Sequence, residues 1–178
     1  MLKILTALSI AALAATPAFA ALPVGAKAPD FTTKAALDGK DFDFSLKAAL
    51  KKGPVVLYFF PAAFTSGCTV EAHAFAEAAD DFKKEGATLI GLTAGNAERI
   101  KEFTKVECRD KFPVGLATAA TITGYKVALA AKPGWTDRTS YVIGRNGKIA
   151  YVLSEMSPEG HITGTLAAVK GLKAKPKG

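Results

Sequence analysis

The stretch from Pro54 to Phe60 constrains the fold more than any other. Behind a Gly-Pro break it runs Val-Val-Leu-Tyr-Phe-Phe. A short, wholly apolar run rich in β-branched and aromatic side chains has no polar face to turn to water. As a strand it must be covered on both sides. The neighbouring segments can supply that cover. A loop spans Pro61 to Gly67, and a helix is predicted from about Cys68 to Glu85, with Phe75, Ala79 and Phe82 on one apolar face and Gly86 as its stop. Ala87 to Thr93 reads as a second buried strand.

The rest of the chain continues the alternation. Asn96 is placed to cap a helix from Ala97 to about Arg109, with Ile100 and Phe103 facing inward. Pro113 to Leu116 reads as a short strand and Thr118 to Tyr125 as a short helix. Ser140 to Gly144 and Lys148 to Leu153 form a hairpin, in which Asn146 and Gly147 both tolerate positive φ. Glu159 to Leu172 is a last helix. Ahead of all this, Phe31 to Thr33 and Asp41 to Phe44 suggest a hairpin, followed by a helical turn near Leu46. The order βαβ, then hairpin and closing helix, predicts one α/β domain with a mixed sheet and helices on both faces.

Residues 1–20 read as an export signal. Lys3 precedes an apolar run from Ile4 through Leu13, and Ala18-Phe19-Ala20 offers a small-x-small cleavage site. A membrane anchor is the alternative, but the run falls short of the roughly 20 residues that spanning requires, and Pro17 interrupts it. The expectation is a cleaved leader, a domain over residues 21–178, and a periplasmic or secreted location without stable membrane association. The formal charge of +7 is spread out except for a tail with Lys170, Lys173, Lys175 and Lys177, which reads as a solvated end rather than a nucleic-acid contact.

Two cysteines occur, Cys68 and Cys108. In an exported protein such a pair often forms a structural disulfide. Cys68, however, stands where a buried strand gives way to a helix. Free N–H groups and the positive end of the helix dipole favour an anion there, and the thiolate is the reactive form of cysteine. Thr65 is positioned either to cap this helix or to bond an oxygen ligand, Pro61 closes the strand and shields the loop, and Gly67 allows the backbone close to a small ligand. The two cysteines and two histidines are not spaced as a zinc site, and no metal or cofactor is expected.

The segment FFPAAFTSGCTVEAHAF resembles the active-site segment of the peroxiredoxins, with Pro61-x-x-x-Thr65-x-x-Cys68 directly after the buried strand. Arg138-Thr139-Ser140-Tyr141-Val142-Ile143 is similar to that family's Arg-x-x-aromatic-Val-Ile strand, and Gly25-x-x-x-Pro29-x-Phe31 to the start of its fold. The resemblance implies a thioredoxin-like fold and a thiol peroxidase. Cys68 would be the peroxidatic nucleophile and Thr65 would bond the peroxide. Arg138 would steady the sulfur, the backbone N–H groups of Gly67 and Cys68 would hold oxygen, and Pro61 would screen the thiolate. The segment CTVEAHAF, with Glu71 in the first helical turn, resembles the Q-type group, also called bacterioferritin comigratory proteins.

Many Q-type proteins carry a second cysteine five residues after the first, where this chain has His73. Others place it in the next helix, which Cys108 matches, with Lys105 and Arg109 set to favour its thiolate. The resemblance thus implies that Cys108 resolves the Cys68 sulfenic acid as an intrachain disulfide, which a thioredoxin-like donor reduces. It also implies a monomer or weak dimer. Off the active face, His73 is expected to be a bystander, His161 an exposed helix residue, and Trp135 a packing residue over the loop to Arg138 that also walls the site. Two other classes compete. A thiol–disulfide oxidoreductase needs Cys-x-x-Cys, whereas Thr69, Val70 and Glu71 follow Cys68. A non-enzymatic protein would hold the two cysteines in an inert bond.

Overall fold

The computed structural model describes residues 21–174; the proposed leader, residues 1–20, and the last four residues lie outside the described part. Seven strands form one mixed sheet in the order β2-β1-β5-β4-β3-β6-β7. A hairpin of β1 (Thr32–Leu37) and β2 (Lys40–Ser45) opens the chain and leads into α1 (Leu46–Lys52). Then come β3 (Val55–Phe59), α2 (Ser66–Lys84), β4 (Thr88–Thr93), a 3₁₀ turn at Ala97–Arg99, α3 (Ile100–Val106) and β5 (Val114–Leu116). The chain closes with α4 (Ala119–Tyr125), β6 (Thr139–Ile143), β7 (Ile149–Ser154) and α5 (His161–Ala174).

β3 is buried at all five positions and lies centrally, parallel to β4 and antiparallel to β6. Its side chains alternate between two cores, as strand geometry dictates. Val56 and Tyr58, with Phe60 just beyond the strand, join Phe75, Ala79 and Phe82 of α2, Phe103 of α3 and Val169 of α5. Val55, Leu57 and Phe59 join Leu46 and Ala49 of α1 and Ile122 and Tyr125 of α4. Both faces are therefore covered, as the apolar run requires. Tyr58 fits only because residue 91 is glycine: a Cβ there would stand 2.7 Å from the Tyr58 ring.

Helix α2 ends as expected. Gly86 takes φ +73°, its N–H reaches Lys83 O, and Ala87 N–H reaches Phe82 O, which is a Schellman stop. Three local readings are corrected. The helix predicted over residues 97–109 is a 3₁₀ turn and a seven-residue α3, so Cys108 lies beyond the helix rather than within it. Asn96 sits in the left-handed region and does not cap; its side-chain amide donates to Ala63 O instead. In the β6–β7 turn Gly147 alone has positive φ, while the Asn146 side chain accepts from Lys148 N–H.

Candidate active site

The loop between β3 and α2 is held by side chains from its neighbours. Thr136 Oγ1 donates to Phe60 O at 2.6 Å, Thr93 Oγ1 to Pro61 O at 3.2 Å, Asn96 Nδ2 to Ala63 O at 2.8 Å, and Thr65 Oγ1 to Ala62 O at 3.1 Å. The consecutive carbonyls of residues 60 to 63 are thereby satisfied, which an irregular buried segment needs. Phe64 is forced to φ +62°, an uncommon conformation for a bulky residue. Its ring meets Phe103 edge-on at 5.2 Å and lies 3.9 Å below the Arg99 guanidinium carbon. Thr65 stands at the N-cap position of α2 with extended backbone but makes no side-chain cap. Of the two uses open to its hydroxyl, capping is not the one taken.

Cys68 is the third residue of α2 and is 2% exposed. Thr69 N–H bonds Thr65 O, so the N–H groups of Gly67 and Cys68 precede that helical bond in the first turn. The register of β3 on β6 pairs Phe59 with Thr139, which sets Arg138 at the same end of the sheet as the start of α2. There Arg138 Nη2 donates to Cys68 Sγ at 3.5 Å, Nη1 donates to Glu71 Oε2, and Nε donates to Met156 O at 2.8 Å. The guanidinium is buried and fixed at three points. Gly67 makes room for it: a Cβ at that position would stand 3.1 Å from Arg138 Nη2. The bare backbone at 67 thus admits the guanidinium, besides any ligand.

Glu71 lies one turn beyond Cys68 on the same helical face and is fully buried. Burial pushes its carboxyl up to about 8, against the opposing charge and hydrogen bond of Arg138. Behind it is His161, expected at the surface but completely buried. Its Nδ1 lies 2.8 Å from Ser140 Oγ and 3.8 Å from Glu71 Oε1, and its Nε2 is 3.0 Å from Glu155 O. Burial lowers its tendency to protonate. The reason for its burial is positional: α5 begins at His161 and docks against α2 and β6, so its first residue enters the core. In the sequence Glu71 stands out only as part of a motif, and Ser140 only as a strand residue.

Cys108 follows α3 in a turn where Arg109 and Asp110 both have φ of +51°. It is fully buried, and both cysteines are free thiols. Burial raises the Cys108 thiol well above its ordinary range, and the charges of Glu107 and Asp110 raise it further. The expectation that Lys105 and Arg109 favour its thiolate is therefore corrected. Arg109 is turned outward, 3.5 Å from Glu77. His73 reaches this turn, with its Nε2 2.7 Å from Glu107 Oε2. Trp135 is half-buried and touches the loop through residue 95, where a Cβ would stand 2.9 Å from its ring and 2.3 Å from Pro61 O. Among the described residues no cluster of three or more potential metal ligands occurs, and no helix is long and apolar enough to cross a membrane.

Comparison with known proteins decides the family. The AhpC/TSA family profile matches residues 24–152. This chain belongs to the AhpC/TSA family. The activity that goes with membership is thiol-dependent reduction of peroxides. Chloroplastic peroxiredoxin Q of Oryza sativa subsp. japonica is 35% identical over 181 residues, covering 88% of this chain and 77% of that protein. Peroxiredoxin Q of Sedum lineare is 34% identical over 87% of this chain and 82% of its own length. The crystal structure of peroxidoxin BcpB from Mycobacterium tuberculosis superposes with a TM-score of 0.74 at 29% identity, over 84% of this chain and 97% of that one. A reduced 2-Cys peroxiredoxin from Plasmodium vivax, at 23% identity and a TM-score of 0.74, shares the fold. The thioredoxin-like α/β architecture expected from the sequence is thus the one observed, and this AhpC/TSA member is similar to the Q-type peroxiredoxins.

Proposed function

We propose that Cys68 is the peroxidatic residue and Cys108 the resolving one. The observation that carries the first assignment is the 3.5 Å contact of Arg138 Nη2 with Cys68 Sγ. A buried sulfur anion needs a fixed counter-charge, and here one is held by three acceptors. The thiolate attacks one peroxide oxygen; an S–O bond forms and the O–O bond breaks. The departing oxygen takes a proton and leaves as water or an alcohol. Arg138 stabilises the charge developing on that oxygen, Thr65 and the N–H groups of Gly67 and Cys68 orient the peroxide, and Pro61 limits access to the sulfur.

The sulfenic acid is then attacked by the Cys108 sulfur; an S–S bond forms and hydroxide leaves as water. Bond geometry requires the two Cα atoms to come within about 7 Å. Cys108 is buried as a neutral thiol, so its turn must open before it can act. An external dithiol of the thioredoxin type reduces the disulfide. Residues 1–20 serve as an export signal, residues 21–178 form one domain, and the protein acts in a periplasmic or secreted setting as a monomer or weak homodimer. A non-reducing gel and mass spectrum after one equivalent of hydrogen peroxide test the pairing. The expected product is an intrachain disulfide in wild type and a sulfenic acid in Cys108→Ser. Normal recycling of Cys108→Ser by a thioredoxin-type donor would contradict the resolving role.

A further inference from the structure

The polar groups behind Cys68 do not balance as simple ions. Arg138 has two anionic partners in reach, the Cys68 sulfur and Glu71 Oε2. Glu71 Oε1 is buried and has no hydrogen-bond partner among the described residues. The group that faces it is His161 Nδ1 at 3.8 Å. The tautomer of that ring is set by its other contact: Nε2 meets the Glu155 carbonyl, which only accepts, so Nε2 carries the hydrogen. In the neutral ring Nδ1 is then a lone pair, and Ser140 Oγ donates to it at 2.8 Å. A carboxylate oxygen aimed at a lone pair, both out of water, is repelled. A proton on the carboxyl oxygen removes the repulsion.

We propose that Glu71 carries a buried proton on the carboxyl oxygen that faces the His161 imidazole, and that this leaves the guanidinium charge of Arg138 to the Cys68 sulfur. His161 is then a positioning residue that acts through Glu71, and the inference rests on Cys68 being the reacting sulfur. The charges agree. Thiolate, guanidinium and ionised Glu71 would leave a net negative site in the core, whereas a protonated Glu71 leaves it neutral. Other groups facing the pair do not undo this. Tyr58 Oη is buried without a partner among the described residues, and burial holds it as the neutral phenol. On the His161 side, Arg138 disfavours a second positive charge, and although the Glu155 carboxylate favours one, burial outweighs it. The rise of Glu71 toward 8 and the depression of His161 point the same way.

Two conservative substitutions shift this proton in opposite directions. His161→Gln keeps an amide to donate to Glu155 O but removes the Nδ1 lone pair, so Glu71 ionises more easily. Ser140→Ala removes the hydroxyl that occupies the lone pair, so the protonated carboxyl is favoured. The experiment is infrared difference spectroscopy of the reduced full chain from about pH 5 to about pH 10, following the carbonyl stretch of a protonated carboxylic acid, with Glu71→Gln to assign the band. The expected band is present at neutral pH in wild type. Its midpoint falls by about one unit in His161→Gln and rises in Ser140→Ala. The rate of reaction with hydrogen peroxide declines on the alkaline side with a midpoint that moves in step. No such band at neutral pH, one midpoint in all three proteins, or a rate profile that stays fixed while the band moves would each overturn the proposal. None of these bears on whether Cys68 is the nucleophile, which loss of peroxide consumption in Cys68→Ser decides by itself.

Discussion

Arg138 and Cys68 are seventy residues apart in sequence and meet at 3.5 Å in the core, with the guanidinium also bound to Glu71 and to the Met156 carbonyl. The strand register produces the meeting. Residue 138 precedes β6, Cys68 lies in the first turn of the helix after β3, and the two strands pair antiparallel with Phe59 opposite Thr139. A shift of one residue would turn Arg138 to the other face of the sheet.

Replacing Arg138 with Met keeps most of the volume and removes the charge. The second-order rate with hydrogen peroxide is expected to fall by about 10²–10³-fold, the range seen when one charge-stabilising donor is lost. Wild-type rates in a folded Arg138→Met protein would leave the guanidinium without a catalytic role.

Gly67→Ala separates stability from chemistry. Residue 67 is helical, so alanine raises helix propensity by about 1 kcal/mol. The same methyl group would press on Arg138 Nη2 from 3.1 Å. The expectation is an equal or higher unfolding midpoint with a peroxide rate about tenfold lower, since a displaced donor loses most of its effect. A faster variant would show that the contact is not needed.

Stability should report Glu71 directly. Its carboxyl titrates near 4.5 when unfolded and near 8 when folded, so between those values the native state holds the extra proton. Stability from this group is fully present below the lower value and is lost as pH rises through the upper one, an effect on the order of a few kcal/mol. Glu71→Gln removes the ionisation. Chemical denaturation from about pH 5 to about pH 9 should show a downward slope in wild type that is shallower in the variant. Equal slopes would mean that Glu71 is ionised throughout.

The overall frame was legible because hydrophobic pattern alone specifies it. An apolar run with no polar face had to be a central strand, and Phe75, Ala79 and Phe82 had to face it. Cys68, Thr65, Pro61 and Gly67 were legible because they are local to one strand–helix junction. Arg138 is reached only through resemblance, since nothing in spacing alone links it to Cys68. The features that escape the sequence depend on tertiary contact. His161 begins a helix, and only docking shows that its first turn is buried. The Cys108 turn lies beyond a helix that the 3₁₀ segment shortens, and Arg109, expected to activate the thiol, points outward to Glu77.

That turn carries its own prediction. Glu107, Arg109 and Lys111 pair with His73, Glu77 and Asp80 along one side of α2, at 2.7, 3.5 and 3.3 Å. These three contacts strap the Cys108 segment to the helix that bears Cys68. Surface pairs contribute about 0.2–1 kcal/mol each, so a Glu107→Gln/Glu77→Gln/Asp80→Asn protein should form the intrachain disulfide at least about threefold faster after peroxide. Added salt should produce a smaller change in the same direction. An unchanged rate would mean that the turn opens without releasing α2.

Whether the Cys68 sulfur is the group that meets peroxide is decided by rapid mixing of the reduced protein with hydrogen peroxide, following Trp135 fluorescence, on wild type and Cys68→Ser. The expected result is a second-order phase of about 10⁴ M⁻¹ s⁻¹ or faster in wild type, with no such phase in the variant. A wild-type protein that reacts no faster than an unassisted thiol, or a Cys68→Ser protein that keeps the fast phase, would contradict it.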